Sequence, residues 1–230
     1  INIHALRRLK AYLGIPGEAL LRDDITQLAF TDDETFARLD LDVRCVGPNP
    51  PSNPGPARHH GLEGQHYRLT DEWGMSWQMP ANGGHYYDLY HSPLAAAETV
   101  LDVERFPWPD PLDAARYEGL RAAADRAVLE ERKAFILERM SSGMWEHAMW
   151  MRGYEQFFMD IALDPGFAAE LLDRITEIQL ALIRRYIDLG VDGGYFGDDY
   201  GAQKGLLFAP RTWRQPIKPL LARLFAPFRE

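Results

Sequence analysis

The chain has 230 residues, 46% of them apolar and 26% charged, the make-up of a globular protein long enough to bury a sizeable core. Its formal charge of −9 argues against nucleic acid as a partner, because phosphate binding needs a basic patch and none is visible. The lone cysteine, Cys45, excludes an intrachain disulfide and any zinc site built from several cysteines of this chain.

Residues 2–13 pattern as a helix, with Ile3, Leu6, Leu9 and Leu13 on one stripe and Gly14 just past its end. The chain up to Phe30 reads as irregular or partly extended. Thr31-Asp32-Asp33-Glu34 fits a capping box for a short helix over 32–39. A strand over 41–46 follows, stopped by Gly47-Pro48-Asn49-Pro50-Pro51, since proline denies a sheet its N–H groups. Residues 47–65 read as a loop long enough to act as a lid. Segments 67–69 and 75–79 then pair as a hairpin through Asp71-Glu72-Trp73-Gly74, and Asn82-Gly83-Gly84 makes a second turn. Residues 47–91 thus form a loop-and-hairpin insertion within one domain spanning 1–230.

From residue 92 the pattern is helical. Ser92 as cap and Pro93 at the first position start a helix to about 106, broken by Pro107-Trp108-Pro109-Asp110-Pro111. Residues 112–131 have strong helix propensity. Ala134-Phe135-Ile136-Leu137-Glu138 is a short apolar run ending in a charge, as a buried strand would be. A helix over about 145–162 follows, with Gly153 placed to kink or divide it. Asp164-Pro165 caps a helix over 166–189, whose stripe is Leu171, Leu172, Ile175, Ile178, Leu182, Tyr186 and Leu189. Gly190 ends it, and 191–196 reads as a strand delivering Asp198 and Asp199. Residues 210–228 are helical, with prolines that kink or fray them. No apolar run reaches the roughly 18–20 residues of a membrane span, and no signal-peptide pattern is present, so a cytoplasmic setting is expected.

Strands separated by helices imply parallel pairing with right-handed crossovers. The order suits an α/β fold, either an open sheet or part of a (β/α)-barrel with about three of its strands present. In both, ligands sit at the carboxyl ends of the strands, which makes Asp198 and Asp199 the first candidates for a catalytic pair. Adjacent carboxylates repel, and one of them can hold a proton, a cation or a substrate hydroxyl. The competing reading is a solvated turn or the cap of a following helix. Gln203 can donate and accept, so it either orients a substrate or caps. Glu138 either lines the pocket or pairs with Arg139 or Arg152, and for Arg152 a buried ion pair is favoured. Met144 and Trp145 lie nearest a strand end and are pocket candidates, while the other methionines around them read as core. Tyr67 and Trp73 give the hairpin region amphipathic aromatic surface, suited to a flat ligand or to packing. Five of the seven histidines fall in 59–91, but without a His-x-His pair or a helix to align Glu63 with His66, so no metal site is expected there. Cys45, within a strand, is expected to be buried.

The run Ser92-Pro93-Leu94-Ala95, then Pro107-Trp108-Pro109-Asp110-Pro111, then 151–160 (Met-Arg-Gly-Tyr-Glu-Gln-Phe-Phe-Met-Asp), then Asp164-Pro165, Gly197-Asp198-Asp199-Tyr200-Gly201-Ala202-Gln203 and Lys218-Pro219 resembles the uroporphyrinogen decarboxylase superfamily. It is most similar to the branch that includes corrinoid-linked methyltransferases. The resemblance covers nearly the whole chain and rests on the order and spacing of the motifs together. It implies a (β/α)8 TIM barrel of which this chain holds a part, beginning after the family's first strand and stopping after the fourth βα unit. It also implies a small-molecule or tetrapyrrole substrate and a corrinoid carried by a separate protein. Zinc is implied too, but the methyltransferases' ligands, a His-x-Cys pair and a later Cys, are expected beyond residue 230.

In the decarboxylases the strand matching 41–46 delivers an Asp that holds the substrate's pyrrole N–H groups. The matching position here is Asn49, whose neutral amide is a poorer partner for a cationic intermediate. Their Arg-rich N-terminal loop is not visible either. Methyl transfer is therefore the first functional expectation and tetrapyrrole decarboxylation the alternative. A third reading is non-catalytic: a partial barrel exposes two sheet edges and would associate with a complementing chain or a second copy.

Overall fold

The computed structural model describes residues 1–138 and 142–229, with Leu137 and Glu138 described by their backbone alone. The chain divides into two compact units, Ile1–Asp42 with Pro56–His91, and Val43–Gly55 with Ser92–Glu230.

The first unit opens with α1 (Ile3–Leu13), capped by the Asn2 side chain, which accepts from the His4 N–H. Gly14, at φ 68°, ends the helix in the left-handed region that suits glycine. Ile3 and Leu6 pack with Ala19 and Ala29. Two short antiparallel strands, β1 (Leu21–Asp23) and β2 (Leu28–Ala29), follow. α2 (Asp33–Arg38) is capped by Asp32, one residue later than the Thr31 box predicts. The reason is tertiary: one Asp32 oxygen accepts from the Thr35 N–H while the other takes Lys10 Nζ at 2.7 Å.

After β3 (Val43–Val46), which belongs to the second unit, the chain returns as β4 (Arg58–Glu63), β5 (His66–Thr70), β6 (Ser76–Pro80) and β7 (Asp88–His91). These form one antiparallel sheet in chain order. The long loop predicted over 47–65 therefore ends early, because its second half is strand. Gly61, at φ 78°, sits at a bulge in β4, and Gly64, at φ 63°, turns the chain into β5. Glycines that read as loop in the sequence serve here as bulge and hairpin turn. Asp71 fixes the β5–β6 turn by accepting from the N–H groups of Trp73 and Met75 and from Trp77 Nε1 at 2.8–3.0 Å.

The second unit is built on a parallel sheet in the order β3, β8 (Ala134–Glu138), β9 (Gly193–Tyr195). Cys45, Ile136 and Gly193 stand in one row across it. α3 (Val100–Arg105) and α4 (Leu120–Asp125) lie between β3 and β8. α5 (Met144–Arg152), α6 (Tyr154–Leu163) and α7 (Pro165–Asp188) lie between β8 and β9. After β9 come the short strands β10 (Gly201–Ala202) and β11 (Gly205–Leu206), then α8 (Pro210–Thr212) and α9 (Lys218–Phe225). Among the described residues this is a mixed α/β arrangement that does not close into a barrel. No described helix is long and apolar enough to cross a membrane.

Two helix boundaries move for identifiable reasons, and a third break falls where Gly153 leads one to expect it. The helix predicted from Ser92 begins only at Val100. The carbonyls of Leu94, Ala95 and Ala97 accept from the Arg152 guanidinium at 2.7, 3.3 and 2.7 Å instead of from a helical ladder, and Thr99 with Asp102 makes the capping box. The helix predicted over 112–131 is interrupted at Gly119, φ 73°, which follows a short 3₁₀ turn at Ala114–Tyr117. Gly153, φ 88°, divides α5 from α6. Six of the seven residues in the predicted α7 stripe, Leu171, Leu172, Ile175, Ile178, Leu182 and Tyr186, are buried, while Leu189 is the half-buried cap that follows the helix. Cys45 departs from its expectation: it is exposed, while its neighbour Val46 is buried. Alternation along β3 puts the two on opposite faces, and Cys45 stands on the open one.

Candidate strand-end site

The carboxyl end of β8 leads into α5, and that of β9 leads into Asp198. A hydrogen bond from the Gly143 N–H to the Gly197 carbonyl at 2.6 Å ties the two junctions together. Asp198 then lands on the N-terminus of α5. Its Oδ1 accepts from the Glu146 N–H at 2.9 Å and its Oδ2 from the Trp145 N–H at 3.4 Å; the Tyr200 hydroxyl donates to Oδ2 at 2.7 Å. First-turn N–H groups have no partner within their own helix, so a carboxylate from a distant strand completes the helix and complements its dipole. Gly143 is needed for this approach, since a Cβ there would meet the Asp198 carboxyl at 2.2 Å.

Burial raises the pKa of Asp198 and outweighs the lowering by its three hydrogen-bond donors, while the charge of Asp199 pushes it up further. Burial also raises Tyr200, with the Asp198 charge adding to it. Asp199 is exposed, so the two neighbouring carboxylates occupy different environments. Asp198 does cap a helix, but the helix is α5, which precedes it in the chain. Gln203 is exposed in the two-residue turn between β10 and β11. This hairpin is not expected from the sequence, although Gly201 and Gly205 stand one in each of its strands.

Trp145 lies wholly buried beneath this segment. Its ring meets those of Phe157 at 5.1 Å, Phe158 at 5.7 Å, Tyr200 at 6.2 Å and Phe208 at 4.5 Å. Among the described residues its Nε1 has no hydrogen-bond partner. Met144 is also fully buried, and its Sδ accepts from the Thr176 hydroxyl at 3.4 Å. The structure thus brings Asp198, Met144 and Trp145 to one junction and adds Gly143, Tyr200 and Phe208, which the sequence did not single out. Tyr200 had a signal in its place beside Asp-Asp; Phe208 had none.

The other candidates stand elsewhere. Asn49 directs both amide protons to backbone carbonyls, Ala115 at 3.3 Å and Glu118 at 2.9 Å, and its own N–H to Arg116 at 3.0 Å. It holds the 3₁₀ turn. Glu138 pairs through its backbone with Tyr195; its side chain and Arg139 lie outside the described residues. Tyr67, 41% exposed on β5, and the buried Trp73 belong to the first unit. Arg152 makes the buried ion pair expected of it, with Asp160 at 2.6 Å. Among the described residues no group of three or more His, Cys, Asp or Glu side chains is placed to hold a metal ion.

The fold has a solved counterpart. A methyltransferase from Methanosarcina mazei aligns with 97% of this chain at a TM-score of 0.53 and 14% identity. The alignment covers 66% of that protein, so this chain spans just under two thirds of its length. At that identity the likeness is one of fold. No family model matches the chain, and no curated protein matches it in sequence.

Proposed function

We propose that the chain is a (β/α)-barrel domain of the uroporphyrinogen decarboxylase superfamily, acting in the cytoplasm on methyl transfer that involves a corrinoid carried by a partner protein. The observation that carries this reading is the fold likeness to a methyltransferase across 97% of the chain. The ordered motifs from Ser92 to Lys218 and the carboxylates at the parallel strand ends support it.

The described residues do not fit zinc: Cys45 is the sole cysteine and no ligand set converges. A corrinoid supplies, when bound, a methyl group on cobalt. Toward the carboxamides on the rim of such a ring, Asp199 offers an exposed acceptor and Gln203 both a donor and an acceptor. Asp198, engaged with α5, is a positioning residue that sets where this segment stands. Asn49 has its amide protons committed to carbonyls, which favours methyl transfer over the decarboxylase alternative.

The test is demethylation of methylcobalamin by a small thiol, followed by the loss of its absorbance. Acceleration above the thiol alone is expected, together with a slower rate for Asp199→Asn. A rate equal to the uncatalysed one overturns the proposal. The open sheet supports a second, non-catalytic reading. Among the described residues β3 and β9 pair with β8 and no other strand, so they offer edges to a complementing chain or second copy. A monodisperse monomer in light scattering counts against the second-copy form.

A further inference from the structure

The segment after Gly197 is held down unevenly. Asp199 and all of residues 201–207 are exposed, so the segment buries little of itself. Two rings anchor it, Tyr200 and Phe208, which meet each other at 6.2 Å and both meet Trp145. Its polar anchors are the Asp198 carboxylate on α5 and the Gly143 N–H on the Gly197 carbonyl. Beneath it Trp145 is fully buried, and among the described residues its indole N–H has no acceptor. The rings of Phe157 and Phe158, at 5.1 and 5.7 Å from the indole, carry no lone pair. A buried N–H without an acceptor is disfavoured, and a buried tryptophan usually finds one. The closed arrangement is complete for apolar packing and incomplete for that one donor.

We propose that residues 197–208 form a cover that opens away from Trp145, and that the space beneath takes a flat, uncharged heteroaromatic ligand whose ring nitrogen accepts the indole N–H. Four aromatic side chains around Trp145 provide the faces and edges that stack on a flat ring. The carboxylates of Asp198, Asp199 and Glu146 on this side repel an anion. A cation has no lone pair for the N–H, which leaves a neutral acceptor. The cover rests on the ring cluster and the unpaired donor and not on methyl transfer, so either proposal can fail alone.

The test is hydrogen exchange of the indole N–H groups in the intact chain, with the Trp145 resonance assigned by through-bond connectivity among the six tryptophans. Opening of the cover makes the Trp145 N–H exchange at least about tenfold faster than the Ile175 and Ile183 amides in the core of α7. Isoquinoline is expected to shift the Trp145 resonance and slow its exchange. Naphthalene, of the same shape but without a ring nitrogen, is expected to do so at least about tenfold more weakly. Exchange at the rate of the α7 core overturns the cover. A Trp145 resonance indifferent to isoquinoline, or an equal response to naphthalene, overturns the ligand class.

Discussion

Substitution of Asp198 separates charge from hydrogen bonding at the strand-end site. Alanine strips the acceptor from the Glu146 and Trp145 N–H groups and from the Tyr200 hydroxyl. Loss of a helix-capping acceptor costs about 1 kcal/mol, and the stranded hydroxyl adds about 1–2 kcal/mol, so Asp198→Ala should weaken the start of α5 by roughly 2–3 kcal/mol. Asparagine keeps an oxygen for Glu146, gives up the long bond from the Trp145 N–H, turns its NH2 toward the Tyr200 oxygen, and removes a charge that burial disfavours. Asp198→Asn should therefore stay within about 1 kcal/mol of the wild type at neutral pH. Because the folded pKa is raised above its ordinary value of 3.8, the stability Asp198 contributes is complete below that value. It is lost as the pH rises through the folded pKa, so the wild type loses ground to the asparagine variant over that interval. Amide exchange at Glu146 reads the effect directly: about thirty- to a hundred-and-sixtyfold faster in the alanine variant, and less than about fivefold in the asparagine variant. An asparagine variant as damaged as the alanine one would show that charge holds the helix. A silent alanine variant would refute the capping altogether.

Arg152→Met should cost about 3–5 kcal/mol, because it leaves the buried Asp160 carboxylate without its cation and three carbonyls without their donor; a urea titration showing a loss under about 1 kcal/mol contradicts this. In the first unit, burial raises Asp71 to about 6 despite three donors. Its contribution is thus present below pH 3.8 and lost as the pH rises through 6, of the order of 3 kcal/mol. Tryptophan fluorescence on denaturation should show the wild type falling relative to Asp71→Asn between pH 4 and 7, and a flat or rising difference defeats the assignment. Asn49→Asp places a carboxylate against the Ala115 and Glu118 carbonyls and should destabilise by about 1–3 kcal/mol; an unchanged melting temperature would remove Asn49 from its structural role.

What could be read in the sequence was what neighbouring residues decide among themselves. Gly14 ends α1, Asp164-Pro165 opens α7 and the stripe of α7 faces the core, because each follows from local geometry or a 3.6-residue period. The β5–β6 hairpin was legible for the same reason. The break at Gly119 and the turn between β10 and β11 are local and went unread; the other misses involve distant partners. The helix expected at Ser92 is delayed by a guanidinium 55–58 residues away. β4 hides behind glycines whose strand character comes from pairing with β5. Asp198 and Asp199 look alike in the sequence, yet the fold half-buries the first against α5 and leaves the second in solvent. Trp145 stood out by its position after a strand, but its cover of Tyr200 and Phe208 arrives only once the chain has passed through α7 and β9.

Amide chemical-shift mapping of methylcobalamin on the labelled chain tests most directly whether the methyl donor meets the carboxyl end of the parallel sheet. Shifts at Gly143, Trp145, Asp199 and Gln203 are expected. The cavity of about 510 Å³ lined by Glu177, Leu180, Arg184 and Arg223 should stay silent. Shifts confined to that cavity, or to the four-stranded sheet of the first unit, would contradict the assignment of the site.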